Sequence, residues 1–266
     1  MYSALNEENM KKILFLLILS TIFAASLYAA DEEPGRPEYT IKRCTGKIVI
    51  DGILDDADWA AAQSLGDFKF PWYNYEKHEE TKKAELEKTE VKMLWDDDFL
   101  YIYYKCEDKH IWADHYNANS QTYKDDCVEF FWNPNPGEGN AYNMFEINCI
   151  GNRLSMYNDP DRRGVRSGGR FTMPPHIAHV IKGTLNNDED IDEGWIIEMA
   201  IRFEDYPELL KEKPKDGTLW RAGVNRCGGM TNWQDSMWSP EWGKTVGSFH
   251  LYPFFGKLYF SDKPAK

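Results

Sequence analysis

The chain is 266 residues long, 42% hydrophobic and 28% charged, which places it among folded globular proteins of one large or two small domains. Its 31 basic against 44 acidic side chains give a formal charge of −13, which argues against a nucleic-acid backbone or an anionic membrane surface as partner. Aromatic residues reach 15%, more than a generic core needs, and this leaves rings for flat ligand surfaces.

Lys11 and Lys12 precede an apolar run over 13–22, broken only by Ser20 and Thr21; small residues then lead to Ala29, Ala30 and acidic Asp31. That is the layout of a secretory signal peptide. Residues 1–30 are read as a leader cleaved after Ala29 or Ala30, with 1–9 an upstream extension before Met10. The apolar run is short for a membrane span of about 20 residues. The mature chain, 31–266, is therefore expected to keep no stable span and to be exported, to the periplasm or outside the cell.

Beyond the leader, apolar and polar residues alternate with period two along nearly the whole length. Candidate strands cover 47–50, 89–95, 99–106, 126–132, 142–150, 153–157, 178–182, 195–203, 219–227 and 255–260. Turn residues separate them: Asp96-Asp97-Asp98, the Asn133-Pro134-Asn135-Pro136-Gly137 stretch, and Gly151-Asn152, which reads as a tight hairpin. Helical signals are few, one short turn after Asp55 and Asp56 and another over 203–211. The charged stretch 75–88 reads as a solvated loop or short helix, and the Gly- and Arg-rich stretch 159–169 as a surface loop. Cys44, Cys106, Cys127, Cys149 and Cys227 show neither CxxC nor zinc spacing. They are read as mostly buried thiols with at most one or two bridges. No repeat divides the chain, so the expected fold is all-β: one antiparallel β-sandwich, immunoglobulin-like or jelly-roll-like, with a few short helices.

Signatures of common enzymes are missing: no P-loop, no HExxH, no GxSxG and no dinucleotide fingerprint occurs. What stands out is a set of polar residues inside strands. Alternation puts Glu129 on one face with Cys127 and Phe131, and Glu146 on one face with Met144 and Asn148. Arg226 shares a face with Val224, while Asn225 points the other way. A carboxylate within a strand is costly if its face is dry and unpaired. Three explanations stand for these residues: a solvated outer face, a buried pair such as Glu129 with Arg226, or a sugar site in which they bind hydroxyls beside a stacked ring. Glu129 and Glu146 also offer the two carboxyls a glycoside hydrolase would use.

The segments IDGILDDADW (50–59), TEVKMLWDDDFLYIYYKCED (89–108), DDCVEFFWNP (125–134), FEINCIG (145–151), WIIEMAIRF (195–203), WRAGVNRC (220–227), WSP (238–240) and FFGKLYF (254–260) occur in an order that resembles the family 9 carbohydrate-binding modules. These are non-catalytic β-sandwiches within a wider class of sugar- and haem-binding domains, and the resemblance spans essentially the whole mature chain. It implies a partner that is a mono- or oligosaccharide or a polysaccharide chain end, bound alongside glycoside hydrolases encoded elsewhere. The implied clamp rings are Trp238 and, where sugar-binding members carry Trp, Tyr123. Glu129 matches the acidic hydroxyl ligand, Asn148 matches an amide on the neighbouring strand, and Arg226 falls where some members have a hydroxyl-binding amide. Glu146 stands where some members carry a sugar-binding Arg. Trp59 and Trp95 are assigned to packing. Calcium occurs in the family, and the acidic stretches 51–58 and 96–98 are the candidate oxygen donors for a structural ion. The same fold also admits a haem-binding electron-transfer module, for which Met144, Met230, His176 and His250 are the available axial ligands.

Overall fold

In the computed structural model, which describes residues 35–70, 86–159, 170–228, 234–240 and 248–265, the period-two segments pair into one twelve-stranded sheet. The strands are β1 (Glu38–Arg43), β2 (Thr89–Trp95), β3 (Phe99–Glu107), β4 (Cys127–Asn133), β5 (Tyr142–Asn148), β6 (Arg153–Asn158), β7 (Arg170–Phe171), β8 (His176–Lys182), β9 (Gly194–Arg202), β10 (Leu219–Cys227), β11 (Ser236–Met237) and β12 (Gly256–Pro264). Their order across the sheet is β7-β6-β5-β4-β10-β12-β1-β2-β3-β9-β8, with β11 paired to β10. Neighbours are antiparallel except at β1, which runs parallel to both β12 and β2. The expected leader, the charged stretch 75–85 and the Arg-rich stretch 160–169 lie outside the described residues. No helix among the described residues is long and apolar enough to cross a membrane.

The sheet curls until its inner face meets itself, as the all-β expectation requires. Every second residue of β2, β3, β4, β9 and β10 enters one core: Val91, Met93 and Trp95; Leu100, Ile102 and Tyr104; Val128, Phe130 and Trp132; Ile197, Met199 and Ile201; Trp220, Ala222 and Val224. Trp132 stacks on Trp220 at 4.9 Å between centroids, and Phe260 meets both Trp220 and Trp95 edge-on. Each ring of this size buries 150–250 Å² or so and favours offset or edge contacts, so the interior is fixed by ring geometry as well as by area.

The outer face of β2, β3 and β9 is covered by the segment 44–62. Ile48, Trp59 and Ala62 pack there on Leu94, Tyr101, Tyr103, Ile196 and Ala200. The stretch 47–50, expected as a strand, joins no ladder; Ile48 and Ile50 cover the sheet instead. Asp58 holds the preceding turn by accepting from the Thr45 and Gly46 amides and the Thr45 hydroxyl. The helix that follows, α1 (Ala57–Ala61), is five residues long. The helix expected over 203–211 reduces to a 3-10 turn at Phe203–Asp205. The expected two-residue hairpin is wider, since β5 ends at Asn148 and the Gly151 amide closes back on the Asn148 carbonyl at 2.8 Å.

Gly256, at the start of β12, lies against the six-membered ring of Trp238, and a Cβ there would collide with it. Gly256→Ala is therefore expected to destabilise the fold by about 1–3 kcal/mol through overpacking, measurable as a lowered urea midpoint with an unchanged m-value.

Candidate functional site

Strands β5, β4 and β10 lie side by side, and register fixes what their outer faces share. Glu129 of β4 is the direct partner of Glu146 on β5 and of Asn225 on β10. These three side chains form the middle of the face. At one end stand Cys127, Cys227 and Asn148, and at the other Phe131, Met144 and Tyr142. The second end is apolar: Phe131 stacks on the exposed His250 ring at 5.0 Å, and the Tyr142 hydroxyl meets His250 Nδ1 at 2.8 Å.

The middle is polar and dry, with Glu129 and Glu146 each 3% exposed and Asn225 fully buried. Asn225 Nδ2 donates to Glu129 Oε2 at 3.1 Å, and Cys227 Sγ donates to Oε1 at 3.3 Å. Glu146 Oε2 and Asn225 Oδ1 have no partner among the described residues. Burial pushes both carboxyls up, Glu129 to about 7 and Glu146, which also feels Glu129 beside it, to about 9. Asp235, just before β11, adds a third carboxyl held up by burial, to about 6.

The sequence-derived residues divide by face. Glu129 lies at the centre. Tyr123, in a 3-10 turn at Thr122–Lys124, is 40% exposed, and its neighbour Thr122 donates its hydroxyl to the Glu146 carbonyl at 3.0 Å. Asn148 shares the face, but its amide is fully engaged: Nδ2 donates to the His115 carbonyl and to Asp125 Oδ2, and Oδ1 accepts from the Asn152 amide. It anchors the crossing loop.

Arg226 and Trp238 lie on the other side of the sheet. Arg226 follows Val224 inward, where Nη2 donates to Asp108 Oδ2 at 2.9 Å with Glu87 Oε2 at 3.4 Å. Its Nη1 donates to the Glu107 carbonyl at 2.8 Å, and the Trp195 ring lies 5.8 Å from the guanidinium carbon. The buried pair considered for Glu129 and Arg226 is thus replaced by Glu129 with Asn225 and Arg226 with Asp108. Trp238 donates its backbone amide to Val224, is 5% exposed, and belongs to the core. It is not an open clamp ring. Trp59 and Trp95 are both buried.

Nor do the acidic stretches fit calcium. Asp51, Asp56 and Asp58 accept backbone amides of their own turns, Asp96 caps Asp98 and Phe99, Asp97 pairs with Arg43, and Asp98 with Lys213. Among the described residues no three His, Cys, Asp or Glu side chains gather as a metal group. Asn225 and Asp235 are the site residues that the sequence candidates omitted. For Asn225 the signal was present, since alternation already set it opposite Arg226.

The architecture is a curled β-sandwich with a cluster of buried acceptors on one outer face. The chain belongs to carbohydrate-binding family 9, whose model matches residues 57–260. Among solved structures, a protein of Bacteroides uniformis ATCC 8492 classed as carbohydrate-binding is similar at 17% identity and a TM-score of 0.64, over 85% of this chain and 100% of that one. A family 9 module from Caldicellulosiruptor kristjanssonii in complex with cellotriose is similar at 17% identity and 0.54, over 85% and 95%. The glucose complex of a Caldicellulosiruptor kristjanssonii family 9 module gives 16% and 0.54, over 86% and 98%. At such identities the likeness is one of fold. No protein of curated function matches the chain.

Two outcomes follow from the polar groups. Arg226→Ala should cost about 3–5 kcal/mol, because it leaves Asp108 buried with its Trp195 and His110 donors but without its cationic partner; a denaturant titration reads this directly. Glu129 and Glu146 bind protons more tightly folded than unfolded, so stability should fall as pH rises from about 4.3, the ordinary glutamate value, through about 7 and about 9. Glu146→Gln, neutral at every pH, should flatten that fall in a series of melting curves.

Proposed function

We propose that the protein is an exported, non-catalytic carbohydrate-binding module that holds a mono- or oligosaccharide, or a polysaccharide chain end, on the outer face of β4, β5 and β10. Glu129, Glu146 and Asn225 supply the hydroxyl contacts, and Tyr123 is the exposed ring at the margin. The observation that carries this reading is the pair of buried acceptors, Glu146 Oε2 and Asn225 Oδ1, without a partner beside Glu129. Buried polar atoms are almost always satisfied, and a sugar presents several hydroxyl donors. Family membership supports the same conclusion.

The rival readings have less support. A glycoside hydrolase would use Glu129 and Glu146 as its two carboxyls, but the family to which the chain belongs is one of carbohydrate binding. A haem would need two ligands converging on one pocket; His176 is on β8 at the far edge of the sheet order and Met230 lies outside the described residues, while Met144 and His250 share the apolar end of the face, where Met144 is buried and His250 is engaged by the Phe131 ring and the Tyr142 hydroxyl.

With few ring contacts, affinity should be micromolar to millimolar in order of magnitude. Calorimetric titration with glucose and cellotriose is expected to show one site. Glu129→Gln and Asn225→Ala should each weaken it about ten-fold or more, since a hydrogen bond to a charged group contributes about 1.5–3 kcal/mol. Flat heats with every sugar, from protein shown folded by circular dichroism, would sink the proposal.

A further inference from the structure

Resting on the carbohydrate-binding reading above, we propose that this site selects a sugar bearing an ammonium group: an amino sugar, or the amine-bearing end of a deacetylated chain.

The argument begins with donor and acceptor balance. Glu129 and Glu146 are direct cross-strand partners on one face, and neither has a Lys or Arg partner among the described residues. Of the two guanidiniums on the adjoining strand β10, Arg226 is turned through the sheet onto Asp108 and Glu87, and Arg221, on the outer face, is spent on the Phe255 and Pro253 carbonyls. The two unsatisfied floor atoms, Glu146 Oε2 and Asn225 Oδ1, are both acceptors. Asn225 Nδ2, the amide donor of the floor, is already engaged with Glu129. A neutral hydroxyl gives one hydrogen and brings lone pairs, which this floor can answer only while its carboxyls keep their protons. An ammonium gives three hydrogens and brings no lone pair.

Charge points the same way. The titratable groups facing the pair are Cys127 from β4, Cys227 from β10, Tyr142 from β5, Asp235 beside β11 and Asp125 beside the 3-10 turn; Asp125 is bonded to His115. Apart from that histidine, each of these groups is neutral or negative; His250, on the Tyr142 hydroxyl at the apolar end of the face, is disfavoured as a cation by desolvation. Two carboxyls side by side in a dry site repel when ionised and are costly to bury. A cation on the ligand removes both costs, and the bond it forms is of the stronger, charge-assisted kind. Without it the pair retains protons, in keeping with the raised values of both carboxyls. Binding an ammonium should therefore expel protons into the buffer.

The test is calorimetric titration of the full protein with glucosamine, glucose and N-acetylglucosamine at about pH 6.5, below the amine's own pKa. Each sugar is run in two buffers that differ in ionisation heat. Glucosamine is expected to bind about ten-fold or more tighter than the other two, with a buffer-dependent heat that marks proton release. In Glu146→Gln and Glu129→Gln, both checked for folding, the ratio of glucosamine to glucose affinity should shrink toward one. Glucose or N-acetylglucosamine binding as tightly as glucosamine would overturn this inference and leave the carbohydrate-binding reading standing. No binding by any of the three would overturn both.

Discussion

Strand β10 joins the two halves of the curled sheet, pairing with β4 on one side and with β12 and β11 on the other. Hydrogen-bonded on both edges, it leaves each side chain two destinations, the interior or the outer face. Trp220, Ala222 and Val224 go inward and hold the layers together. Arg226 must follow them, and so a guanidinium enters the core. That placement dictates much of its surroundings: Asp108, Glu87, the Glu107 carbonyl and the Trp195 ring all converge on it. The intervening residues, Asn225 and Cys227, go outward and become the floor of the site. Structure and function are interleaved on one strand at one-residue intervals.

The legibility of the fold follows from the same rule. β2 and β10 are readable residue for residue because alternation over seven to nine positions is hard to mistake. β1 was not readable: six residues with charged or polar ends, in which Tyr39 and Ile41 are the inward pair, give too short a pattern. The apolar run 47–50 misleads for the opposite reason, since composition does not distinguish a segment that pairs with a sheet from one that lies on it.

For the site, alternation was a better guide than resemblance. It separated Asn225 from Arg226 and set Glu129 with its outward neighbours. The resemblance instead carried the amide role onto Arg226, which lies one residue away and on the opposite face, paired with Asp108. Trp238 could not be placed from sequence, because its direction is set by its bond to Val224 and its contact with Gly256, both distant in the chain. Asn148 was assigned to the correct face, yet its amide is engaged by Asp125, His115 and Asn152, partners that only the folded loop brings to it.

The protein itself supplies the comparison that gives the Glu129 and Glu146 pair its meaning. Glu198, on β9, is another glutamate fully buried on the outer side of the sheet. There both carboxylate oxygens are answered: the Asp51 and Gly52 amides and the Trp59 indole donate at 2.8–3.0 Å. Those bonds fasten the covering segment 44–62 to the sheet, and Gly52, with φ of 82°, makes the turn that brings its amide in. This is how the fold buries a carboxylate for structural ends. At Glu146 no donor is provided, although the same kind of sheet face and the same depth of burial are present. A carboxyl left unanswered at such depth lowers stability. The two faces thus differ in what answers the carboxylate: on β9 a segment of the chain supplies the donors, and on β5 no described residue answers Glu146 Oε2.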